Sequence, residues 1–347
     1  MKIGVLTGGG DCPGLNPAIR GVVLRALDYG DTVVGIQDGW AGLIKNNTNP
    51  LTLEDVEEIL NKGGTILGTS RTNPFKKEAE DVPKVLENIK KIGLDGLVAI
   101  GGDDTLGVAR KLYEKYKIPA VGVPKTMDND LSATDFTFGF DTAVTVAVDA
   151  LDRLRDTAKS HRRIMVLEVM GRYAGWVALY TGLAGGADWI LLPEHNKDIK
   201  AEIDAMCEHL KNVLKRGKRY ALVVVSEGVE LPKVEHEVEL VDSFGHKVLK
   251  ERQIGEAVTK IIKDATNVDT RTSVIGHIQR GGSPTVFDRV LGTRVGVKAV
   301  EMLHNQKYGK MACLLGTEVK SVDLAAATGE LKLVNDDWKK LIRYLSK

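Results

Sequence analysis

Short apolar runs, separated by amphipathic stretches, recur along the chain from its first residues. The runs are continuously apolar rather than alternating, as expected of strands buried on both faces of a parallel sheet. They are KIGVL (2–6), TVVGI (32–36), GLVAI (96–100), PAVGV (119–123), RIMVLEV (163–169), DWILL (188–192) and YALVVV (220–225). Their alternation with helical patterns predicts the α/β class, with parallel sheets, right-handed crossovers and helices on both faces.

Two of the intervening stretches have the period of a helix. In PAIRGVVLRALDYG (17–30) the apolar side chains share one face, Pro17 suits the first turn, and Asn16 can cap the helix. The stretch at 142–158, TAVTVAVDALDRLRDTA, is long and apolar enough to lie between layers of the fold. We interpret the polar segment 229–250 as an excursion within a domain rather than a hinge.

Length and charge restrict the class of protein. At roughly 150 residues per domain, 347 residues predict two domains. The net charge of +1 gives no overall attraction to nucleic acid or to an anionic membrane, so we expect neither as a partner. The apolar runs are shorter than the roughly 20 residues that a membrane span needs. The apolar stretch at the N-terminus is too short for a signal peptide.

Cysteine usage points to a reducing compartment. Cys12, Cys207 and Cys313 are far apart in sequence and form no CxxC pair. This spacing disfavours a disulfide framework and a structural zinc site. We expect buried thiols in a cytoplasmic protein.

Candidate chemistry lies where strands end, because ligands of α/β folds bind at the carboxyl ends of the strands. The first such junction, LTGGGDCPGLNPAIRG (6–21), has a triple glycine that lets the backbone approach a phosphate, followed by the positive end of a helix. Pro13 stands where a dinucleotide fingerprint needs its third glycine, and there is no P-loop pattern. A tight turn is the alternative interpretation.

The second junction, GGDDT (101–105), places two carboxylates after a Gly-Gly pair. Asp103 and Asp104 could simply be first-turn acids of a helix that starts near Thr105. Two adjacent carboxylates also suit Mg²⁺, which commonly bridges one or two carboxylates to substrate phosphates.

The third junction, VPKTMDND (123–130), combines carboxylates with a cation. Asp128 and Asp130 lie two residues apart, with Lys125 and Thr126 close by. A turn would also use such residues. At a strand end, the combination favours a base that deprotonates an alcohol beside a bound phosphate.

Cationic side chains after other apolar runs could bind phosphate oxygens. Arginine forks match phosphate geometry, although each alone could be a solvated surface charge. These candidates are Arg71, Arg162, Arg163, Arg172, Arg271, His277 and Arg280.

Five motifs together resemble the 6-phosphofructokinases: LTGGGDCPGLN, GGDDT, PKTMDND, VMGRYAG and GHIQRGG, in this order. The resemblance runs from about residue 2 to 302. It implies two Rossmann-like three-layer α/β/α domains with the active site in the cleft between them. The implied donor domain is 1–139 plus about 279–329, and the implied sugar domain is 140–278 plus about 330–347. The implied reaction is phosphoryl transfer to the 1-hydroxyl of fructose 6-phosphate.

The resemblance also implies roles for the residues that match family motifs. The implied catalytic residues are Asp128 as general base, Thr126, Arg71, Lys125 and Asp104. The implied donor-binding residues are Gly10, Gly102, Asp104 and Lys125, and Mg²⁺ is implied at Asp103 with Asp130 nearby. The implied sugar-phosphate contacts are Thr126, Met127, Asp128, Arg163, Met170, Gly171, Arg172, Glu227, Arg271, His277, Ile278, Gln279 and Arg280. Arg163 and Arg271 match arginines that reach a neighbouring subunit's site, which implies a homodimer or homotetramer.

The same resemblance bears on the phosphoryl donor. ATP-using members generally have glycine at the position of Asp104, and many have glycine at that of Lys125. A carboxylate about 4 Å from a nucleotide phosphate repels it by roughly 4 kcal/mol at an effective dielectric of 20, which is nearly three decades of affinity. Inorganic pyrophosphate is shorter and avoids this position, and its use predicts a reversible reaction. An ATP-dependent 6-phosphofructokinase and a non-catalytic sugar-phosphate sensor are the alternatives.

Overall fold

The computed structural model describes residues 1–231 and 253–345, so most of the predicted polar excursion at 229–250 lies outside the described residues. Within those ranges the strands, in chain order, are β1 (Lys2–Thr7), β2 (Thr32–Ile36), β3 (Thr48–Leu51), β4 (Gly96–Gly101), β5 (Ala120–Pro124), β6 (Ile164–Val169), β7 (Trp189–Leu191), β8 (Ala221–Ser226), β9 (Thr270–Val274), β10 (Lys310–Leu315) and β11 (Glu318–Asp323). Each of the seven predicted runs forms a strand, whereas β3, β9, β10 and β11 were not predicted.

The helices surround these strands. The α-helices of the same ranges are α1 (Leu15–Asp28), α2 (Trp40–Lys45), α3 (Leu53–Val56), α4 (Glu78–Ile92), α5 (Asp103–Tyr116), α6 (Phe140–His161), α7 (Trp176–Ala184), α8 (Ile199–Lys215), α9 (Ile254–Thr266), α10 (Val286–His304), α11 (Leu324–Ala327) and α12 (Asp336–Leu345). Short 3-10 turns occupy Pro74–Lys77, Pro193–Asp198 and Gly276–Arg280. The predicted helix at 142–158 is contained in α6.

The described strands form two sheets, which confirms the α/β class. The larger sheet has the order β11-β10-β5-β4-β1-β2-β3, and the smaller has the order β7-β8-β6-β9. All pairs are parallel except β2–β3 and β10–β11 at the edges of the larger sheet. The predicted all-parallel arrangement is wrong at these edges, because both connections are shorter than the roughly dozen residues of a parallel crossover.

Two predicted helix starts are also wrong. α1 begins at Leu15, after Gly14 in the left-handed region (φ 106°), and Asn16 lies inside the helix. The Asn16 side chain does not cap α1, because its amide donates to the Lys62 and Gly63 carbonyls and its oxygen accepts from the Ile66 amide. α5 begins at Asp103 rather than near Thr105, so both adjacent acids lie in its first turn.

The interior strands of the larger sheet are covered on both faces. Every residue of β4 and of β5 is buried. On one face, α1 packs closely against α10, because glycines at the contact let the backbones approach. A Cβ at Gly296 would lie 2.3 Å from the Ala18 carbonyl oxygen. This packing fixes the helix that follows the triple-glycine loop.

The chain passes between the two sheets at the N-termini of α6 and α10, where side chains of the two helix ends bond to one another. Asp288 of α10 accepts hydrogen bonds from the Thr142 amide (2.8 Å) and hydroxyl (2.6 Å). In return, the Thr285 hydroxyl donates to Asp141 of α6 (2.6 Å). We call these four residues the seam. The seam joins the two segments in which the chain passes between the sheets, and so it fixes one sheet relative to the other.

Two predictions from composition concern the chain as a whole. Cys12, Cys207 and Cys313 are all buried free thiols, as predicted. Among the described helices, none combines the length and the apolar character that crossing a lipid bilayer would need.

Candidate active site

A pocket lies at the carboxyl ends of the larger sheet's central strands and is closed by arginines from the other side. All of the predicted donor-binding and catalytic residues meet there. Its lining is Gly9, Gly10, Arg71, Gly102, Asp103, Asp104, Thr105, Lys125, Thr126, Met127, Asp128, Asp130, Arg172 and Arg280. Gly9 belongs to the predicted triple glycine, whereas Thr105 was named from the sequence only as the start of a helix.

Strand register brings the two acidic junctions together. β4 and β5 are parallel neighbours with Gly101 opposite Pro124, so GGDDT and PKTMDND leave the sheet side by side. The Lys125 amide donates to the Gly101 carbonyl (3.0 Å) and extends this pairing past the strand end. We call residues 102–104 and 125–130 the donor wall.

The triple-glycine loop is held against the donor wall by backbone bonds. The Gly8 amide donates to the Ile100 carbonyl and the Gly9 amide to the Ser70 carbonyl, both at 3.0 Å. The buried Lys125 ammonium donates to the Gly10 carbonyl. Burial lowers the pKa of Lys125. The arrangement places the Lys125 ammonium and the glycine backbone beside the space that donor phosphates would occupy.

The carboxylates of the donor wall are crowded. Asp128 is 5% exposed, and its Oδ1 is buried without a hydrogen-bond partner among the described residues. Burial, followed by the nearby Asp128 and Asp103 carboxylates, raises the pKa of Asp130 to about 7. A bound cation would offset the mutual repulsion of these carboxylates.

The donor wall fits Mg²⁺ by its chemistry. Among the described residues, no group of three or more His, Cys, Asp or Glu is arranged to hold a metal. Mg²⁺ does not require one, because it usually binds through one or two carboxylates and completes its shell with water and substrate phosphates. Asp103 and Asp130 on the pocket surface supply such oxygens.

The opposite side of the pocket comes from the smaller sheet. Residues 170–172 follow β6, and Glu227 follows its neighbour β8, with Val169 opposite Ser226. Glu227 Oε1 accepts from the Gly171 (3.3 Å) and Arg172 (3.2 Å) amides. Burial, then the charge of Asp128, raises the pKa of Glu227. Glu227 therefore supports the 170–172 loop from behind.

Gln279 supports the same loop from another direction. It is fully buried, its Oε1 accepts from the Met170 amide (2.8 Å), and its Nε2 donates to the Ala143 carbonyl of α6 (3.3 Å). Its neighbours His277 and Ile278 are exposed, Ile278 at 69%. Both functional atoms of the Gln279 amide thus bond to backbone. We call residues 170–172, Glu227, Gln279 and Arg280 the sugar wall.

Arg280 joins the sugar wall to the glycine-rich loop. Its Nη1 donates to the Asp11 carbonyl (3.0 Å), and a Cβ at Gly10 would lie 2.4 Å from the same nitrogen. A side chain at position 10 would therefore displace the guanidinium from its present position.

Arg163 and Arg271 are not brought to this pocket. They lie at the opposite end of the smaller sheet, at the starts of β6 and β9, where both pair with Asp269 (2.7 and 3.2 Å). At about 3.3 Å per residue, the six residues of β6 separate Arg163 from the 170–172 loop by roughly 20 Å.

The chain is similar to known proteins over nearly its whole length. The sequence pattern of the family described as Phosphofructokinase matches residues 2–303. A protein of Dictyoglomus thermophilum named pyrophosphate--fructose 6-phosphate 1-phosphotransferase is 53% identical over 338 residues, covering 96% of this chain and 95% of that relative. A protein of Corynebacterium efficiens named ATP-dependent 6-phosphofructokinase is 47% identical over 340 residues, covering 96% and 95%.

Solved structures share the fold. The pyrophosphate-dependent phosphofructokinase of Marinobacter aquaeolei superposes with a TM-score of 0.81 at 21% identity, covering 99% of this chain and 91% of that one. Phosphofructokinase of Saccharomyces cerevisiae gives a TM-score of 0.79 at 28% identity, covering 99% and 47%. The predicted fold is confirmed, and the chain belongs to the phosphofructokinase family.

Proposed function

We propose that this protein transfers a phosphoryl group from inorganic pyrophosphate to the 1-hydroxyl of D-fructose 6-phosphate, reversibly, giving fructose 1,6-bisphosphate and phosphate. The observation that carries the choice of donor is that Asp104 lines the same pocket as the buried Lys125. Four relatives with 48–53% identity carry the name pyrophosphate--fructose 6-phosphate 1-phosphotransferase, which supports it.

Asp128 is the proposed general base. Asp128 lines the pocket, and its buried Oδ1 has no hydrogen-bond partner among the described residues, so the side chain can accept the proton of the sugar 1-hydroxyl. The hydroxyl oxygen attacks the terminal phosphorus of pyrophosphate, the bond to the bridging oxygen breaks, and inorganic phosphate leaves. The reverse reaction uses the same base as the acid that returns the proton.

Cations around the pocket stabilise the transferring group. Arg71, Arg172 and Arg280 line the pocket with Lys125, and guanidinium forks match phosphoryl oxygens. Asp103, with Asp130 nearby, is the proposed holder of Mg²⁺, which when bound neutralises phosphate charge. The 170–172 loop, Glu227, His277 and Arg280 are the proposed sugar-phosphate contacts.

ATP is the competing donor. Four relatives from three species, 46–47% identical to this chain, are named ATP-dependent 6-phosphofructokinases, so overall similarity does not separate the two donors. The separation rests on Asp104, whose charge opposes an additional phosphate.

We also propose that the site is completed by a second copy of the chain. Arg163 and Arg271 lie together, partly exposed, at the far end of their own sheet, from which they can reach a neighbour but not their own pocket. The oligomer is a homodimer or a homotetramer.

The proposed domains are 1–139 plus about 279–329 for the donor and 140–278 plus about 330–347 for the sugar. Val334 and Ile342 support this division, because they pack in the core of the smaller sheet. The three buried free thiols suit the proposed cytoplasmic location.

One coupled assay tests the donor. Purified protein is given fructose 6-phosphate and Mg²⁺ with either pyrophosphate or ATP, and kcat/KM is measured for each donor. We expect pyrophosphate to be preferred by about two to three decades. We also expect phosphate-dependent conversion of fructose 1,6-bisphosphate back to fructose 6-phosphate. An equal or higher kcat/KM for ATP, or an irreversible forward reaction, would contradict the proposal.

A further inference from the structure

The loop that carries Asp128 and Asp130 takes its shape from the residue between them. Asn129 has a left-handed backbone (φ 52°) and is 2% exposed. Its Oδ1 accepts from the Thr137 amide (3.1 Å), which closes the loop on itself. The directions in which the two flanking carboxylates leave the loop therefore depend on how Asn129 is held.

A lysine far along the chain holds Asn129 and the other side of the loop together. The Lys332 ammonium donates to Asn129 Oδ1 (3.0 Å), the Thr134 carbonyl (3.0 Å) and the Asp135 carbonyl (2.9 Å). An ammonium has three hydrogens, and here all three bond to this one loop. No water or other residue is needed to satisfy it.

The backbone around Lys332 connects the same loop to the smaller sheet. The Lys332 amide donates to the Asp130 carbonyl (2.8 Å), and the Lys332 carbonyl accepts from Trp176 Nε1 of α7 (2.7 Å). Two residues on, the Val334 amide donates to Glu194 (2.9 Å). The segment 330–334 thus spans from the donor wall to the helix that follows the 170–172 loop.

We propose that Lys332 is a positioning residue for phosphoryl transfer, holding the 128–135 loop so that Asp128 meets the sugar hydroxyl. The inference rests on the proposed function, with Asp128 as the base. A base must lie within about 2.6–3.2 Å of the oxygen whose proton it accepts, and a displacement of about 1 Å can cost roughly 10²-fold in rate. Lys332 lies beyond residues 2–303, the part that matches the family pattern.

The test compares Lys332→Met, Lys332→Arg and the control Lys320→Met. Methionine keeps the unbranched stem but removes the three donors, arginine restores charge and donors, and Lys320 is a 55% exposed lysine paired with Glu318 on β11. We expect Lys332→Met to lower kcat about 10- to 100-fold with both KM values within about threefold of wild type. We expect Lys332→Arg to regain at least part of kcat, and Lys320→Met to match wild type.

Thermal unfolding of each variant separates positioning from folding, and kcat is normalised to the folded fraction. A normalised kcat of Lys332→Met within twofold of wild type overturns the inference. So does a loss that arginine does not reverse, or a loss seen only as higher KM. If the methionine variant does not fold, Lys332→Gln, which keeps two of the three N–H donors but not the charge, is judged by the same criteria.

The wild-type measurement keeps this result separate from the proposed function. Turnover with ATP alone would contradict pyrophosphate as the donor, and the Lys332 comparison would then be made with ATP. A wild-type protein that turns over neither donor overturns both proposals.

Discussion

The two walls of the pocket use their polar side chains in different ways. In the donor wall, Asp128 keeps a buried oxygen without a partner among the described residues, and its charge acts on the pocket. In the sugar wall, Glu227 and Gln279 bond to the backbone of residues 170–172. Substitutions in the donor wall should therefore change chemistry and donor choice, whereas substitutions behind the sugar wall should change the shape of a binding loop.

The largest effect is expected from removing the proposed base. Asp128→Asn keeps the size of the side chain but cannot accept the proton, so kcat should fall about 10²- to 10⁴-fold with the KM for fructose 6-phosphate little changed. Steady-state kinetics gives both values, and calorimetry checks that the sugar phosphate still binds. A kcat within tenfold of wild type would remove Asp128 as the base. Wild-type protein that binds the sugar without any turnover would instead indicate a sensor.

The next effect concerns donor choice within the same wall. Asp104→Gly removes the carboxylate that opposes an additional phosphate, so kcat/KM for ATP should rise by up to about 10³-fold while that for pyrophosphate changes much less. The isosteric Asp104→Asn is the matched control, because it removes charge without adding glycine's flexibility to the first turn of α5. Both variants should gain ATP use. A gain with glycine alone would mean that size, rather than charge, excludes the nucleotide.

The sequence predicted the donor wall well because its signals are local. Each acidic motif follows an apolar strand directly, so strand-end reasoning marked Asp103 and Asp128 as candidates, and the pairing of β4 with β5 in the structure brings both into one pocket. The sugar wall could be placed only through the family resemblance. The pattern of apolar and polar positions does not show that Gln279 pairs with the Met170 amide, or that Lys332 reaches Asn129.

Two of the missed strands have a related cause. β9 (TRTSV) and β11 (EVKSVD) are sheet edges and consist largely of polar residues, so neither forms a continuous apolar run. Asn16 illustrates the same limit at the level of one residue. Asparagine is a common helix-capping residue, yet the Asn16 side-chain amide bonds to a distant loop at 62–66. Tertiary hydrogen bonds override local preference at these positions.

A third prediction concerns the seam between the walls. Burial, opposed by hydrogen bonds from Thr142, raises the pKa of Asp288 to about 6 from an ordinary value of 3.8. Because the folded state holds the proton more tightly, the wild type loses stability as pH rises from about 4 to about 6. Asp288→Asn does not titrate, so its stability relative to wild type should rise by about 3 kcal/mol across that range and then stay level.

Denaturant unfolding between pH 4 and pH 7 measures this difference. The control is Asp149→Asn in α6, where the aspartate is 64% exposed and pairs with Arg153, and its stability relative to wild type should hardly vary over the same range. Stability curves of Asp288→Asn and wild type that run parallel would show that Asp288 is ionised in the folded protein throughout.

The smallest effect is expected behind the sugar wall. Gln279→Leu leaves the Met170 amide and the Ala143 carbonyl without their partner, so the 170–172 loop should shift and the KM for fructose 6-phosphate should rise about tenfold, as expected for roughly 1–3 kcal/mol per unpaired buried group. The KM for pyrophosphate should not change, because the hydrogen bonds of Gln279 go to Met170 and to α6 rather than to the donor wall. Gln279→Glu, which keeps the acceptor for Met170 but not the donor to Ala143, should lie between leucine and wild type. Equal changes in both KM values would mean that the two walls move as one body. The walls would then differ in their chemical roles, but a change in the shape of one wall would also change the other.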